Sequence, residues 1–193
     1  MGRPAAFDRE EVLQKATNLF WEQGYSATGV ADLVEATRLK PGSLYAAFHS
    51  KEDLFLAALD HYGHRSVATI QAMLTGSASP LEGIRRCLLQ IADEVAGDRA
   101  SQGCLLVNTT LELGRHGGAI QKRVKAHFNQ IERLFRDALL QARTRGELAP
   151  DKNPDALAAF LLSSIWGLRV LGGTAPTRKR AKDIVKQLLS ILE

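Results

Sequence analysis

The stretch from residue 39 to residue 55, LKPGSLYAAFHSKEDLF, decides the fold of this chain. Pro41-Gly42 interrupts a helical pattern, a short piece runs on to Phe48, and Ser50 with Asp53 then opens another helix. An isolated helix shorter than about 12 residues is marginal in water, so the 41–48 piece must be braced by its neighbours. Two short helices joined by a tight turn form a helix-turn-helix, whose second helix lies in the DNA major groove. The stretch therefore predicts a motif that reads DNA.

The beginning of the 41–48 helix is suited to a phosphate. Pro41 occupies the first helical position, where its missing N–H would have no partner in any case. Lys40, just before it, has no capping oxygen. We therefore expect the N–H groups of Gly42, Ser43 and Leu44 to be open to a phosphate, and Gly42 to allow close approach of the backbone.

The charge that would attract DNA is local. The chain has 193 residues and a net charge of +4, but residues 1–50 hold five Lys/Arg against six Asp/Glu. Residues 36–51 contain no acid, and they carry Arg38, Lys40, Lys51 and His49. A basic patch that coincides with the short helix is the electrostatic pattern expected for phosphate binding.

Apolar spacing is helical along the whole chain, without a convincing two-residue alternation. Asp8 with Glu11 forms a capping box for the first helix, and Thr28 is the expected cap of the second. Longer helices are predicted over about 51–74, 81–96, 104–114, 119–145, 155–171 and 177–192. The sequence thus predicts an all-α chain of about nine helices, with a small N-terminal group at 1–50 and a larger group at 51–193.

Composition is ordinary for a soluble globular protein, with 45% hydrophobic and 24% charged residues. No apolar run approaches the roughly 18 residues of a membrane span, and the beginning, MGRPAAFDREE, is polar. We therefore expect a cytoplasmic chain with no membrane contact. Cys87 and Cys104 form neither a disulfide framework nor a zinc spacing, and no metal or other cofactor is predicted.

Two segments carry a family resemblance: GRPAAF at 2–7, and LFWEQGYSATGVADLVEATRLKPGSLYAAFHSKEDLF at 19–55. In their order and motifs, residues 1–55 closely resemble the N-terminal domain of TetR-family transcriptional regulators. GCLLVNTTLELG, at 103–114, resembles one branch of that family. The resemblance implies a helix-turn-helix DNA-binding domain at 1–50 and a ligand-binding and dimerisation domain at 51–193. It also implies a homodimer whose last two helices pack in a four-helix interface.

The family pattern also implies roles for single residues. Thr28, Tyr45 and Lys51 are expected to contact phosphates. At or near the reading surface, beside His49, the pattern places Arg38, Lys40, Gly42 and Ser43. Arg3 is expected on an arm that enters the minor groove. The plainer alternatives are a Tyr45 ring packed on the first helix, and solvated side chains at Lys51 and Arg38. Two departures stand out: Ala47 replaces a frequent histidine, and the turn at 37–40 lacks the usual glycine.

Cys104 is the most reactive candidate of the larger domain. It follows a break at 97–103 and begins a helix, and a helix N-terminus lowers the pKa of a thiol. Arg99 is close in sequence. Cys104 is therefore a candidate sensor of oxidants or electrophiles, while the alternative is a small buried apolar residue. Cys87 sits on an apolar face and is expected to be inert.

Other side chains of this domain are candidates for binding a small-molecule effector of unknown identity. Asn108 is polar within an apolar helix, and Phe128 and Trp166 are large enough to line a pocket; core packing is the alternative for both aromatics. His61 and His64 lie three apart on one helical face, but two ligands are weak evidence for a metal.

The sequence favours a ligand-responsive, DNA-binding regulator, most simply a repressor that binds a pseudo-palindromic operator as a dimer and is released by an effector. Apolar stripes on the last two helices favour dimerisation there. The alternatives are a redox or electrophile sensor of the same family acting through Cys104, and a helical enzyme. Against the enzyme, the sequence contains no nucleophile–base pairing, phosphate loop or paired Glu-x-x-His arrangement.

Overall fold

The computed structural model describes residues 7–98, 100–114 and 118–193. In these ranges it contains nine α-helices, one 3-10 turn at Ala100–Gln102 and no strand. The helices are α1 Arg9–Gln23, α2 Val30–Thr37, α3 Pro41–Phe48, α4 Lys51–Thr75, α5 Pro80–Glu94, α6 Leu105–Leu113, α7 Gly118–Thr144, α8 Pro154–Gly172 and α9 Arg178–Ser190. The prediction of an all-α chain is confirmed. Arg3 and Arg99 lie outside the described residues.

The first three helices and the beginning of α4 share one core. Asp8 caps α1 by accepting hydrogen bonds from the N–H groups of Glu10 and Glu11, as predicted. The fully buried rings of Phe20 on α1 and Phe55 on α4 pack edge to face, with centroids 4.8 Å apart. Because Phe55 belongs to α4, this long helix is anchored in the N-terminal core.

The cap of α2 differs from the prediction. Gly29, not Thr28, is the N-cap residue, and its N–H donates to the Asp32 carboxylate at 2.7 Å. Thr28 is fully buried, and its hydroxyl donates to the Gly24 carbonyl at 2.6 Å. The spacing correctly located the beginning of α2, but the threonine turns inward to the end of α1.

The turn between α2 and α3 adopts the conformation that glycine usually provides. Arg38 ends α2 in the left-handed region with φ 59°. Non-glycine residues adopt this conformation at some cost. Arg38 therefore takes the left-handed position without a glycine and places an exposed basic side chain in the turn.

The larger group of helices is arranged around α4 and α7. Ser50 caps α4 by accepting from the Asp53 N–H at 3.0 Å. At 25 residues α4 is about 37 Å long, so it continues from the N-terminal core into the second group. There it packs along α7, which packs in turn on α8, while α9 lies on α5. The centre of this group is filled by fully buried side chains such as Leu88, Phe135 and Leu139.

The helix α8 is unusually apolar for its degree of burial. Its mean hydropathy reaches 1.4 over 18 residues, which meets a length-and-composition test for a membrane span that core helices of soluble proteins also pass. Only 33% of that window is buried within this chain. Phe160 and Val170 are 45% and 51% exposed.

Candidate DNA-binding surface and effector cavity

The outer face of α3 is presented by two inward anchors. Leu44 and Phe48, four residues apart, are buried against the N-terminal core, as the sequence predicts. Ser43 and Tyr45 therefore point away from the core; Ser43 is exposed, and Tyr45 is 41% exposed despite its large ring. Tyr45 is thus not packed away on α1, and its hydroxyl is accessible.

The N-terminus of α3 is less open than expected. Lys40 is the N-cap and supplies no side-chain cap, as predicted. Its carbonyl, however, accepts hydrogen bonds from the N–H groups of both Ser43 and Leu44, at 2.9 and 3.0 Å. The prediction of three free N–H groups is therefore wrong for these two. Of the three N–H groups, that of Gly42 alone has no backbone partner in the described part of the chain. No neighbouring atom lies within 4 Å of the point where a Cβ on Gly42 would be.

Exposed basic groups flank α3 on both sides. Arg38 and Lys40 lie before it, and His49, whose φ of 62° ends the helix sharply, lies after it; all three are exposed. Lys51 is half-buried, and its ammonium lies 4.4 Å above the centre of the Tyr25 ring. This cation–π contact orients Lys51 beside α3. With Gly42, Ser43 and Tyr45, these residues form the candidate DNA-binding surface; the inward-turned Thr28 does not belong to it.

A cavity of about 740 Å³ lies between α1 and the second group of helices. Helices α1, α4, α5, α6, α7 and α8 all contribute side chains to its wall. Of the four predicted effector-binding residues, it brings together Cys104, Phe128 and Trp166. The volume is within the range of small-molecule sites, which is about 300–1,000 Å³.

Asn108 is the exception among the four predicted residues, because it does not line the cavity. Its amide donates to the Gln102 carbonyl at 2.8 Å, which braces the loop before α6. The same carbonyl accepts from the indole N–H of Trp21 at 2.9 Å. The prediction that Asn108 binds the effector is therefore not supported by its position. Its amide instead helps to hold the loop before α6 against α1.

Cys104 is the N-cap of α6 and is half-buried on the cavity wall, so it is not a fully buried core residue. The Tyr62 phenol is its neighbour, and burial together with the Cys104 thiol raises the pKa of Tyr62 well above its usual value. Cys87 also borders the cavity, but it is fully buried, and burial raises its pKa to about 12. The two cysteines thus differ in burial, while the reactivity of Cys104 stays a prediction.

The polar groups of the wall are mostly paired. The Arg169 guanidinium donates to the Glu94 carboxylate at 2.6 Å, and the pair cancels its own charge. Trp166 stacks at an angle on Phe128, with ring centroids 4.5 Å apart. Its buried Nε1 has no hydrogen-bond partner among the described residues. An unpaired buried indole N–H is costly to the fold.

Besides α4, helix α6 connects the cavity to the DNA-binding domain. Helix α6 begins after Cys104 at the cavity and ends at Leu113, one residue beyond Glu112. The Glu112 carboxylate accepts from the N–H groups of Tyr25 and Ser26, at 3.1 and 2.6 Å, in the loop between α1 and α2. Burial alone would raise the pKa of Glu112, but these hydrogen bonds and the nearby Lys51 outweigh that effect and lower it.

Sequence reasoning missed Glu112, Tyr62 and Arg169. Tyr62 lies in HYGHR, where the two histidines suggested a metal rather than a cavity wall. Arg169 lies in an apolar helix whose apolar stripe predicted only packing. An arginine within such a stripe was the available signal, since a buried charge requires a partner.

A helix-turn-helix with an exposed polar face, joined by a long helix to a bundle that holds a cavity, defines a helical DNA-binding regulator. Comparison with known proteins agrees. Residues 12–58 match the family model for bacterial regulatory proteins of the tetR family, and residues 80–175 match the tetracyclin repressor-like C-terminal domain.

Similar proteins cover most of the chain. The HTH-type transcriptional repressor ComR of Escherichia coli (strain K12) is 38% identical over 170 residues, 88% of this chain and 81% of that protein. The uncharacterized regulator YezE of Bacillus subtilis (strain 168) is 29% identical over 194 residues, 100% of both chains. A cysteine mutant of the TetR-family regulator CifR, solved in complex with 26 bp double-strand operator DNA, is 33% identical with a TM-score of 0.87 over 100% of both chains. The chain belongs to the TetR family and is a DNA-binding transcriptional regulator.

Proposed function

We propose that this chain is a dimeric repressor that binds a pseudo-palindromic DNA operator and is released by a small-molecule effector. The observation that carries the proposal is the course of α4. Its first turns hold Phe55 in the N-terminal core, and two turns further on Tyr62 lines the cavity. An effector that fills the cavity and displaces α4 therefore moves the helix-turn-helix with it, and the shift is governed by the effector's different affinity for the two positions of α4.

The DNA contacts that we propose divide into two kinds. Tyr45 and Lys51 contact phosphates beside the groove, Lys40 adds a positive charge there, and His49 lies beside it as a polar side chain. Arg38, Gly42 and Ser43 lie at the reading surface, where Arg38 projects from the turn before α3. Support comes from their shared exposure around the two anchors of α3. We propose that residues 1–50 form the DNA-binding domain and residues 51–193 the effector and dimer domain.

Selection of random duplex DNA by the purified protein tests this proposal. We expect an enriched pseudo-palindrome and a binding constant that falls steeply with salt, by a slope of about 0.9 for each phosphate contact. Lys51→Ala should reduce that slope by about 1. Lys125→Ala, an exposed lysine on α7, is the matched control and should leave it unchanged. Tyr45→Phe removes the hydroxyl and keeps the ring, so it tests the contribution of the hydroxyl to DNA binding alone. Absence of any enriched sequence at moderate salt would contradict the proposal.

The dimer that we propose forms through α8 and α9. The apolar side chains of α8 that this chain leaves uncovered, Phe160 and Val170 among them, need a partner, and a second copy supplies one. A two-fold axis would also match the two halves of an operator. Phe160→Glu should convert the dimer to a monomer in analytical ultracentrifugation. Leu111→Glu, at a 69% exposed position on α6, is the control and should stay dimeric. A Phe160→Glu protein that stays dimeric would refute this interface.

The effector that we propose is a mainly apolar molecule with one hydrogen-bond acceptor. Phe128, Trp166 and Ile165 make one part of the wall apolar, Arg169 is paired with Glu94, and the buried Trp166 N–H has no partner among the described residues. Trp166→Phe keeps the stack on Phe128 but removes the donor. In a screen of small apolar compounds by thermal shift, hits should lose about 1–3 kcal/mol of binding free energy in this variant. Hits unaffected by it would argue against this polar contact.

A second candidate is a regulator that senses electrophiles or oxidants through Cys104. The position of this thiol on the cavity wall, beside the Tyr62 phenol, favours it. Operator release by an electrophile should disappear in Cys104→Ser and persist in Cys87→Ala. An electrophile response that survives in Cys104→Ser would eliminate this candidate and leave reversible effector binding.

We also infer that the protein acts in the cytoplasm, beside its DNA, and that it is not an enzyme. The relatives are named as transcriptional regulators, and the polar groups of the cavity are paired for structure rather than arranged as a nucleophile and base. Incubation of identified effectors with the protein should return them chemically unchanged.

A further inference from the structure

Three side chains with metal-binding groups meet on the side of α4 that faces α7. Asp60 and His64 are four residues apart on α4, so they project from one face of the helix. His127 faces them from α7, and one donor atom from each of the three lies within 4.8 Å of the other two. His127 Nε2 is already 3.0 Å from the Asp60 carboxylate. The sequence suggested His61 with His64, but His61 turns away to Gln14, at 3.0 Å.

One of the two ring nitrogens of His127 has no hydrogen-bond partner among the described residues. Its side chain is only 3% exposed, yet its Nδ1 has no hydrogen-bond partner in the described part of the chain. The ring also depends on Gly63 of α4, because a Cβ there would lie 2.5 Å from the imidazole Cγ and Nδ1. The fold therefore makes room to hold a polar ring tightly against α4 and beside the exposed His64.

The chemistry of the cluster is that of a transition-metal site. Imidazole groups suit Zn, Cu, Fe and Ni, and two imidazoles with one carboxylate leave further positions for water. Ligand atoms lie about 2.0–2.2 Å from such an ion, so in tetrahedral coordination two of them are about 3.3–3.6 Å apart. A pair at the 4.8 Å limit would have to close by about 1.2–1.5 Å, and the exposed side chain of His64 can supply that movement. Arg123 pairs with the second Asp60 oxygen and fixes the carboxylate, although its charge opposes a cation.

We propose that Asp60, His64 and His127 bind a divalent first-row transition-metal ion between α4 and α7. The ion ties the helix that carries the DNA-binding domain to the longest helix of the bundle. It thereby favours one position of α4, independently of the cavity on the other side of the helix. Metal binding is separate from the proposed repressor function, and each can fail without the other.

Titration of the full chain with Co²⁺ and Zn²⁺ tests the site. Co²⁺ should produce visible ligand-field bands that Zn²⁺ removes, with a stoichiometry of one ion per chain. His64→Ala, at an exposed position, should weaken binding at least about tenfold, since even the loss of an outer partner of a ligand costs 10–100-fold. His61→Ala is the matched control, a neighbouring histidine of α4 outside the cluster, and should bind as the wild type does.

A second variant distinguishes a ligand role from a merely structural one. Arg123→Gln removes the positive charge beside Asp60, so it should tighten Co²⁺ binding, whereas a site unrelated to Asp60 would not respond. Absence of Co²⁺ bands in the wild type, or equal affinity in His64→Ala, would overturn the proposal. The cluster would then be a hydrogen-bonded link between α4 and α7 only.

Discussion

Replacing Glu112 by alanine should release the loop between α1 and α2 from the end of α6. The carboxylate accepts two hydrogen bonds, from the N–H groups of Tyr25 and Ser26. Charge-assisted hydrogen bonds contribute about 1.5–3 kcal/mol each where water is excluded. Glu112 is exposed, so solvent screening reduces the two together to about 1–2 kcal/mol. A change of that size corresponds to amide exchange that is about 5–30 times faster.

Hydrogen exchange at single amides measures this directly. The amides of Tyr25 and Ser26 should lose protection in Glu112→Ala, while that of Gly24, which donates to the Phe20 carbonyl at 2.9 Å, should keep it. Glu112→Gln retains one acceptor oxygen and should fall between the two. Unchanged protection of Tyr25 and Ser26 in the alanine variant would refute the coupling of α6 to the DNA-binding domain.

The same contact has a defined dependence on pH. Burial alone would raise the pKa of Glu112. The hydrogen bonds from Ser26 and Tyr25 outweigh it, so that the pKa of Glu112 is lowered in the folded state. The contact is therefore fully present above the ordinary glutamate pKa of about 4.3, and it is lost as the pH falls through the lower folded value. Protection of the two amides in the wild type should decrease in that acidic range and not between pH 6 and about 8.

Three further predictions concern packing and reactivity. Phe55→Ala should lower the free energy of unfolding by about 3–5 kcal/mol in urea titrations, whereas Tyr45→Ala, on the surface, should change it by about 0.5 kcal/mol or less; equal effects would contradict the N-terminal core described above. Gly63→Ala should cost about 1–3 kcal/mol because its Cβ would meet the His127 ring, while Gly167→Ala, with no atom within 4 Å, should be neutral or stabilising by up to about 1 kcal/mol. Iodoacetamide should label Cys104 in the folded protein but Cys87 only after unfolding, because burial raises the pKa of Cys87 to about 12; peptide mapping that finds Cys87 modified first would contradict this order.

Features that depend on neighbours along the chain could be predicted from the sequence. Leu44 and Phe48 were correctly placed inward, because a spacing of four residues puts two side chains on one helical face whatever surrounds it. The caps at Asp8 and Ser50 followed from the same local logic, and each sets the beginning of a helix. The exposed face of α3 was then a consequence, since residues between inward anchors must point outward.

Features that depend on contacts between distant helices could not be predicted. His127 meets Asp60 across 67 positions of sequence, and Glu112 meets Ser26 across 86, so neither pair leaves a local pattern. Thr28 is a different case, because the error there is local: Gly29 is the N-cap of α2, and the Thr28 hydroxyl donates to the Gly24 carbonyl, four residues before it.

Helix α4 explains why these distant contacts matter together. Phe55 and Tyr62 are seven residues apart and so share a face, which runs from the N-terminal core to the cavity. Asp60 and His64 lie on another face, toward α7. A rigid helix cannot change its position at one of these contacts without changing it at the others. If DNA binds one position of α4 more tightly than the other, a ligand that also distinguishes them, in the cavity or at the proposed metal site, alters the affinity for DNA, and DNA alters the affinity for that ligand by the same factor.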